Sequence, residues 1–435
     1  MGSRSRRSQG GPIASLRSSR PFRYLWTSNV LFFGGIWTQT LVLGWMVYEV
    51  TGSAFLIAVF TACRLAPLLL GPFAGVIADR FDRYRMLVIA NLWAFIAVLG
   101  VAVLAMVGAA PYPVLLVGGL IIGLAQSPSQ PARASLVVEA VSRRNLSNAN
   151  ALNAFAMNMT QMIGPAVGGA MIGVIGAPWA LAVSASWFVL SLLALLPVRG
   201  IGRGRVVHET SVWRMLVSGL GTIRRRRVAV AALTVTLCAN ILIWPIYQTF
   251  MPVFAGEVLH LDAAGLGTLM TCAGLGGTVS SLVIASFGDF PRKGAVFVLG
   301  TACWGALWAG FALSTSTSLS FPLMVAVGLA SAPFGVLQTT LVLLATPSRV
   351  HGTALGLQEL AIGTMPVAAL GLGALAQLIG VPATTFASAS TLAVSVVVIA
   401  LAVPALVRYD GRHEEPALRP RVASAEPEAS PAPPA

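Results

Sequence analysis

Long apolar runs, each closed by a short polar stretch, recur along this 435-residue chain. Crossing a hydrocarbon layer about 30 Å thick takes about 20 apolar residues in a helix. Twelve runs meet that length: 25–49, 54–78, 85–108, 114–139, 148–175, 179–197, 228–255, 265–287, 295–313, 319–345, 353–378 and 383–406. The pattern predicts an all-α protein that crosses a membrane twelve times.

The charges test that count. Of the 28 basic residues, 26 fall in the two tails and the even-numbered connections. The odd-numbered connections carry none, and a wrong number of spans would scramble the alternation. Basic loops stay on the cytoplasmic side, so both termini are expected in the cytoplasm. The expected location is a bacterial inner membrane, since the bias toward Ala, Gly and Arg with a single lysine, Lys293, fits a GC-rich bacterial genome.

Net charge is +14 and the isoelectric point about 11.0, which would suggest nucleic acid in a soluble protein. Here the basic residues are spread over seven segments at the membrane surface, where they meet anionic headgroups, so no nucleic-acid partner is expected. Charged residues make up only 10% of the chain, and no loop is long enough for a soluble catalytic domain. Cys63, Cys238, Cys272 and Cys303 lie inside apolar runs, and His208, His260, His351 and His413 are scattered. This predicts no metal site, no cofactor and no enzyme.

The runs divide as a basic tail (1–24), six helices (25–197), a basic linker (198–227), six more helices (228–406) and a Pro- and Ala-rich tail (407–435) expected to be disordered. In the linker Val212, Trp213, Leu216, Leu220 and Ile223 share a helical face, which suits either a surface helix or an ordinary basic linker. The halves are weakly alike: 135–138 followed by Arg144 match 340–343 followed by Arg349 at the same spacing. Two pseudo-symmetric six-helix bundles follow, a plan that places substrate near the bilayer midplane between the repeats.

The segment 75–85, GVIADRFDRYR, resembles the signature loop between helices two and three of the major facilitator superfamily. Asp82 stands where many members have Gly, and the DRFDR form is similar to the drug- and siderophore-exporting branch, whose familiar members are enterobactin exporters and macrolide efflux proteins. Trp45 with Thr51-Gly52-Ser53, Pro131-Ala132-Arg133, the stretch 149–153 and Gly164-Pro165-Ala166-Val167-Gly168-Gly169 resemble that branch too. The resemblance covers residues 20–406 and implies the major facilitator fold. The scarce acidic residues beside the loop arginines suit a charged cytoplasmic gate of Asp79, Arg80, Arg83 and Glu139, with Asp289 and Arg292 in the second half; the alternative is a solvated basic loop that only sets topology. In that fold, helices five and eight meet between the halves, so Gly164, Pro165, Gly168 and Gly169 are expected to pack near Gly274 and Gly277.

Arg64 and Arg133 are the two basic residues inside the spans. Arg133 lies close enough to the cytoplasmic end to snorkel. Arg64 lies about 15 Å from the outer end of its helix, and Glu359 about 10 Å above the cytoplasmic end of the eleventh. The resemblance sets those two helices face to face. Arg64 and Glu359 are therefore expected to pair in one conformation and part in another, where Glu359 takes up a proton. The plainer alternative satisfies Arg64 with carbonyls and leaves Glu359 facing water.

The resemblance also makes helices one, four, seven and ten line the cavity. They offer Asn29, Phe33, Trp37 and Thr40; Gln126 and Gln130; Asn240, Trp244, Tyr247 and Gln248; and Phe334 and Gln338. Aromatic walls with a few amides suit a bulky, amphipathic, largely uncharged molecule. The expected function is proton-driven efflux of a drug, macrolide-like compound, siderophore or secondary metabolite by a monomer. The alternatives are an importer or lipid flippase on the same scaffold, or a membrane scaffold or sensor.

Overall fold

The computed structural model describes residues 14–70, 82–127, 129–142, 145–199, 220–287, 290–347 and 350–411. Every described element is helical. The spans are α1 (Arg20–Thr51), α2 (Ala54–Leu65, extended by a 3-10 turn Ala66–Leu70), α3 (Arg83–Met106), α4 (Tyr112–Gln126 and Ser129–Ala140), α5 (Leu146–Ile175) and α6 (Ala177–Leu195). The second half has α7 (Arg227–Leu242, Trp244–Thr249 and Met251–Val253, closed by a π turn Phe254–Val258), α8 (Ala263–Ser286), α9 (Lys293–Ala312), α10 (Thr317–Leu344), α11 (His351–Gly363 and Met365–Ile379) and α12 (Val381–Ala402). Each sits on one of the twelve predicted runs. They form the two pseudo-symmetric six-helix bundles expected from the sequence.

Local chemistry sets the ends. Gly52 takes φ +55° to close α1, and the Ser53 hydroxyl then accepts from Leu56 N at 3.4 Å to start α2. Asp82 and Asp262 cap α3 and α8, accepting from Arg85 N (3.1 Å) and Gly265 N (2.8 Å). The repeat is written in the backbone at two matched joints. Gly176 between α5 and α6 has φ/ψ of 80°/159°, and Gly380 between α11 and α12 has 83°/160°; a proline follows two residues later in each. Only glycine takes that backbone readily.

Outward faces of the spans expose Ile89, Trp93 and Ile96 on α3 and Val394, Val397 and Leu401 on α12, as lipid contact requires. The halves meet through small residues. An added Cβ on Gly169 of α5 would lie 2.6 Å from the Ala263 carbonyl oxygen and 2.9 Å from Gly267 Cα. Such a Cβ on Gly164 would meet Trp37 and Thr38 of α1, and one on Gly274 would meet the Met162 backbone. Gly277 faces Gly328 and Ser331 of α10, so the eighth-helix glycines divide between two neighbours. The glycine that meets Gly169 is Gly267, which precedes the segment expected to do so. Helix α5 runs unbroken through Pro165.

Gly169→Val should destabilise the fold by about 1–3 kcal/mol, because the atoms it meets are backbone and cannot yield. Gly173→Ala, whose added carbon reaches only Ala264 Cβ at 3.9 Å, should be near neutral. Thermal unfolding of the two purified variants makes the comparison.

Candidate functional site

Three proline-linked breaks shape the interior. Helix α7 interrupts at Ile243, before Trp244-Pro245, and again at Phe250, before Met251-Pro252. Helix α11 interrupts at Thr364, before Met365-Pro366. Proline cannot donate into the helical ladder, so each break costs little where it falls and re-aims the side chains beside it. Trp244 and Tyr247, from the first break in α7, face a cavity of about 700 Å³ between the halves.

Trp37 of α1 and Asn150, Asn158 and Gln161 of α5 form its wall on the first half. Thr278 and Ser281 of α8, Trp304 and Trp308 of α9, and Ser331, Thr339 and Thr340 of α10 line it on the second. The aromatic rings interlock: Trp37–Tyr247 at 6.2 Å, Trp244–Tyr247 at 6.1 Å, Trp244–Trp304 at 5.9 Å and Tyr247–Trp308 at 6.4 Å. Among the described residues, no Asp, Glu, His, Lys or Arg lines it. The wall offers flat apolar faces with amide and hydroxyl groups between them, which bind an uncharged or amphipathic molecule.

The cavity occupies the ends of α5, α8 and α10 nearest the arginine-rich connections. Toward the opposite face the halves close at Gly169–Gly267, at Gly44 against Pro252 and at Gly256 against the Tyr48 ring.

The other predicted lining residues lie behind or beside this wall. Asn240 is buried and donates to the Thr236 carbonyl at 2.8 Å. Phe334 stacks behind Trp304 at 5.5 Å. Gln338 is half-buried, and its Oε1 has no hydrogen-bond partner. Gln126 ends the first piece of α4 and Gln130 is the second residue of the piece that starts at Ser129, so the break separates two residues expected on one continuous face. The contribution of α5, α8 and α9 to the wall was not foreseen. A signal existed: α5 carries Asn148, Asn150, Asn153, Asn158 and Gln161 in its first half, and it is absent from the nine helices that, among the described residues, are long and apolar enough to span.

The two interior arginines are buried differently. Arg64, 5% exposed, donates to Thr40 Oγ1 of α1 at 2.6 Å and to Gln248 Oε1 of α7 at 3.3 Å, so one guanidinium ties the two halves together. In this conformation Arg64 forms no ion pair with Glu359, which is exposed on α11. Arg133 does not snorkel. It is 1% exposed, its guanidinium lies 3.9 Å over the Phe32 ring, and it donates to Asn29 Oδ1 at 2.6 Å. Asn29 in turn donates to Asn153 Oδ1 at 2.7 Å, so helices α1, α4 and α5 share one polar chain. Cation–π contact with a ring compensates part of the lost hydration.

Of the residues expected to form a gate, Arg83 is buried and ion-paired with Glu139. Arg292 takes φ +57° as the cap of α9. Asp79, Arg80 and Asp289 lie outside the described residues, as do Val212, Trp213 and Leu216 of the linker and the tail from 412 onward.

The Major Facilitator Superfamily model matches residues 25–369. The chain belongs to the Major Facilitator Superfamily. It is a secondary active transporter of small molecules, not an enzyme. The multidrug efflux pump Tap of Mycolicibacterium fortuitum is 25% identical over 84% of this chain and 91% of its own length. The staphyloferrin A transporter of Staphylococcus aureus is 25% identical over 60% of this chain, and the match spans 66% of that relative's length. Among solved folds, a POT family transporter in complex with 5-aminolevulinic acid superposes with TM-score 0.73 at 11% identity, over 89% of this chain and 97% of its own. A point mutant of the nucleoside transporter NupG gives 0.68 at 13%, over 89% and 100%. The matches span several distant branches, so the resemblance to one exporting branch widens to the superfamily as a whole.

Asn29→Ala removes the hydrogen bond to a buried charge and should cost about 1.5–3 kcal/mol, whereas Asn153→Ala removes a neutral one and should cost about 0.5–1.5 kcal/mol. Equal losses in thermal unfolding would deny Arg133 its assigned partner.

Proposed function

We propose that this transporter exports an uncharged or amphipathic small molecule, with protons as the driving ion. The observation that carries the reading is the aromatic and amide wall of a 700 Å³ cavity with no acidic or basic lining side chain among the described residues. A sugar phosphate or inorganic anion would need cations there. The alternation of arginine-rich and arginine-free connections supports a cavity on the cytoplasmic side, in position to load from the cytoplasm. The similarity to multidrug efflux pumps over 84% of the chain supports export.

Transport then follows from what holds the halves. Arg83 with Glu139 braces the cytoplasmic side of the first bundle, and Arg64 with Gln248 clasps the opposite half of the interface. Rocking the bundles breaks the clasp and frees a buried guanidinium, which needs a new acceptor. Glu359 supplies one, and the proton it held leaves as the pair forms. Proton uptake and substrate movement are thereby coupled without a carboxylate in the substrate wall.

Uptake on the same scaffold is the second reading. A cavity open to the cytoplasm is equally the releasing state of an importer, and the matched solved folds include peptide and nucleoside transporters.

The deciding experiment follows a fluorescent macrolide and a siderophore panel in efflux-deficient cells, with and without a protonophore. Wild type should lower accumulation, and Glu359→Gln or the protonophore should abolish the effect. Trp244→Ala should raise the half-saturating concentration about tenfold, the equivalent of about 1.4 kcal/mol of lost ring contact. Increased accumulation in cells holding the wild-type protein would instead establish uptake.

A further inference from the structure

A second hollow, of about 410 Å³, shares no lining residue with the central cavity and lies between α7 and α11 of the second half. Its walls are the last turn of the linker, α7 and α11, with Leu233, Leu237, Leu357 and Leu360 among the apolar lining and Thr364 at the α11 break. Among the described residues, Arg224 is the one charged residue that lines it. Arg225, Arg226 and Arg227 follow directly in the chain, at the junction between the linker and α7. No carboxylate among the described residues pairs with any of them.

The dimensions select the occupant. From Arg227 to Leu237 is ten helical residues, about 15 Å. That is the depth of one leaflet of a hydrocarbon core about 30 Å thick. An apolar trough of leaflet depth, opening at the headgroup level onto a cluster of arginines, fits an acyl chain with a phosphate at its top. An extended peptide would bring backbone polar groups into hydrocarbon with nothing to satisfy them. Arginine forks match phosphate oxygens in pairs, and basic clusters beside spans attract anionic headgroups.

We propose that this groove is a binding site for one phospholipid with an anionic headgroup, its phosphate held by Arg224 and Arg225 and one acyl chain lying between α7 and α11. The lipid touches the linker that joins the halves, and its chain reaches Thr364, where α11 breaks. The site is thus placed to hold the linker against the second bundle.

Native mass spectrometry of the detergent-purified full chain, titrated separately with phosphatidylglycerol and phosphatidylcholine, tests this. Wild type should retain one phosphatidylglycerol in clear preference to phosphatidylcholine. The double change Arg224→Gln with Arg225→Gln should weaken that retention about tenfold. Leu360→Trp should do the same by filling the groove with every arginine in place; Leu360 is 41% exposed, so the change leaves the core intact. Arg408→Gln, an exposed arginine elsewhere on the same face, should change nothing. Thr234→Trp, which fills the groove from α7, replaces Leu360→Trp if that variant does not fold. Equal retention of the two lipids, or phosphatidylglycerol binding unaffected by a filled groove, would overturn the proposal.

Discussion

Once two helices both lie in lipid, no hydrophobic force draws one to the other, because lipid tails are as apolar as leucine. Their association rests on close packing, and close packing between backbones needs residues with little or no side chain. The Gly169–Gly267 crossing of α5 and α8 is that contact here, with backbone atoms where any Cβ would have to stand. Toward the arginine-rich face the same two helices carry Asn158, Gln161, Thr278 and Ser281, and the space between the halves becomes a cavity. Closure at one end and a hollow at the other are two consequences of where side chains resume along one helix pair.

The interior arginines are the second constraint. A charge near the midplane costs several kcal/mol unless the protein replaces its hydration. Neither Arg64 nor Arg133 is given a carboxylate. Arg133 has a ring face and an amide oxygen, all within one bundle, and serves to fix α1, α4 and α5 to one another. Arg64 takes one acceptor from each bundle. The chemistry is alike, but the second arrangement spans the surface along which a transporter of this family must move. The first holds three helices of one bundle together, while the second ties the two bundles to each other.

Much of the fold was legible in the sequence, and the physical reason is the bilayer. Its thickness sets the length of every span, and its surface charge sorts the arginines, so run length and charge alternation carried the twelve spans and their pairing into halves. The glycines were legible as a type: Gly164, Gly169 and Gly274 lie at close helix contacts. The prolines that mark the breaks in α7 and α11 were not singled out.

The site was only partly legible. Trp37, Trp244 and Tyr247 share the cavity wall, on two of the four helices that the resemblance set around it. Asn240 and Phe334 had the same chemistry in the sequence, yet one turned to its own backbone and the other to the back of Trp304. The amides of α5 and the tryptophans of α9 lie over a hundred residues apart, and only the docking of the two bundles brings them onto one wall. One-dimensional rules, the membrane's thickness and its charge, were enough to determine how often the chain crosses and where the crossings begin and end. Which side chains face one another was left to the tertiary structure, because that depends on helix rotation, and rotation is fixed by packing between segments distant in the chain.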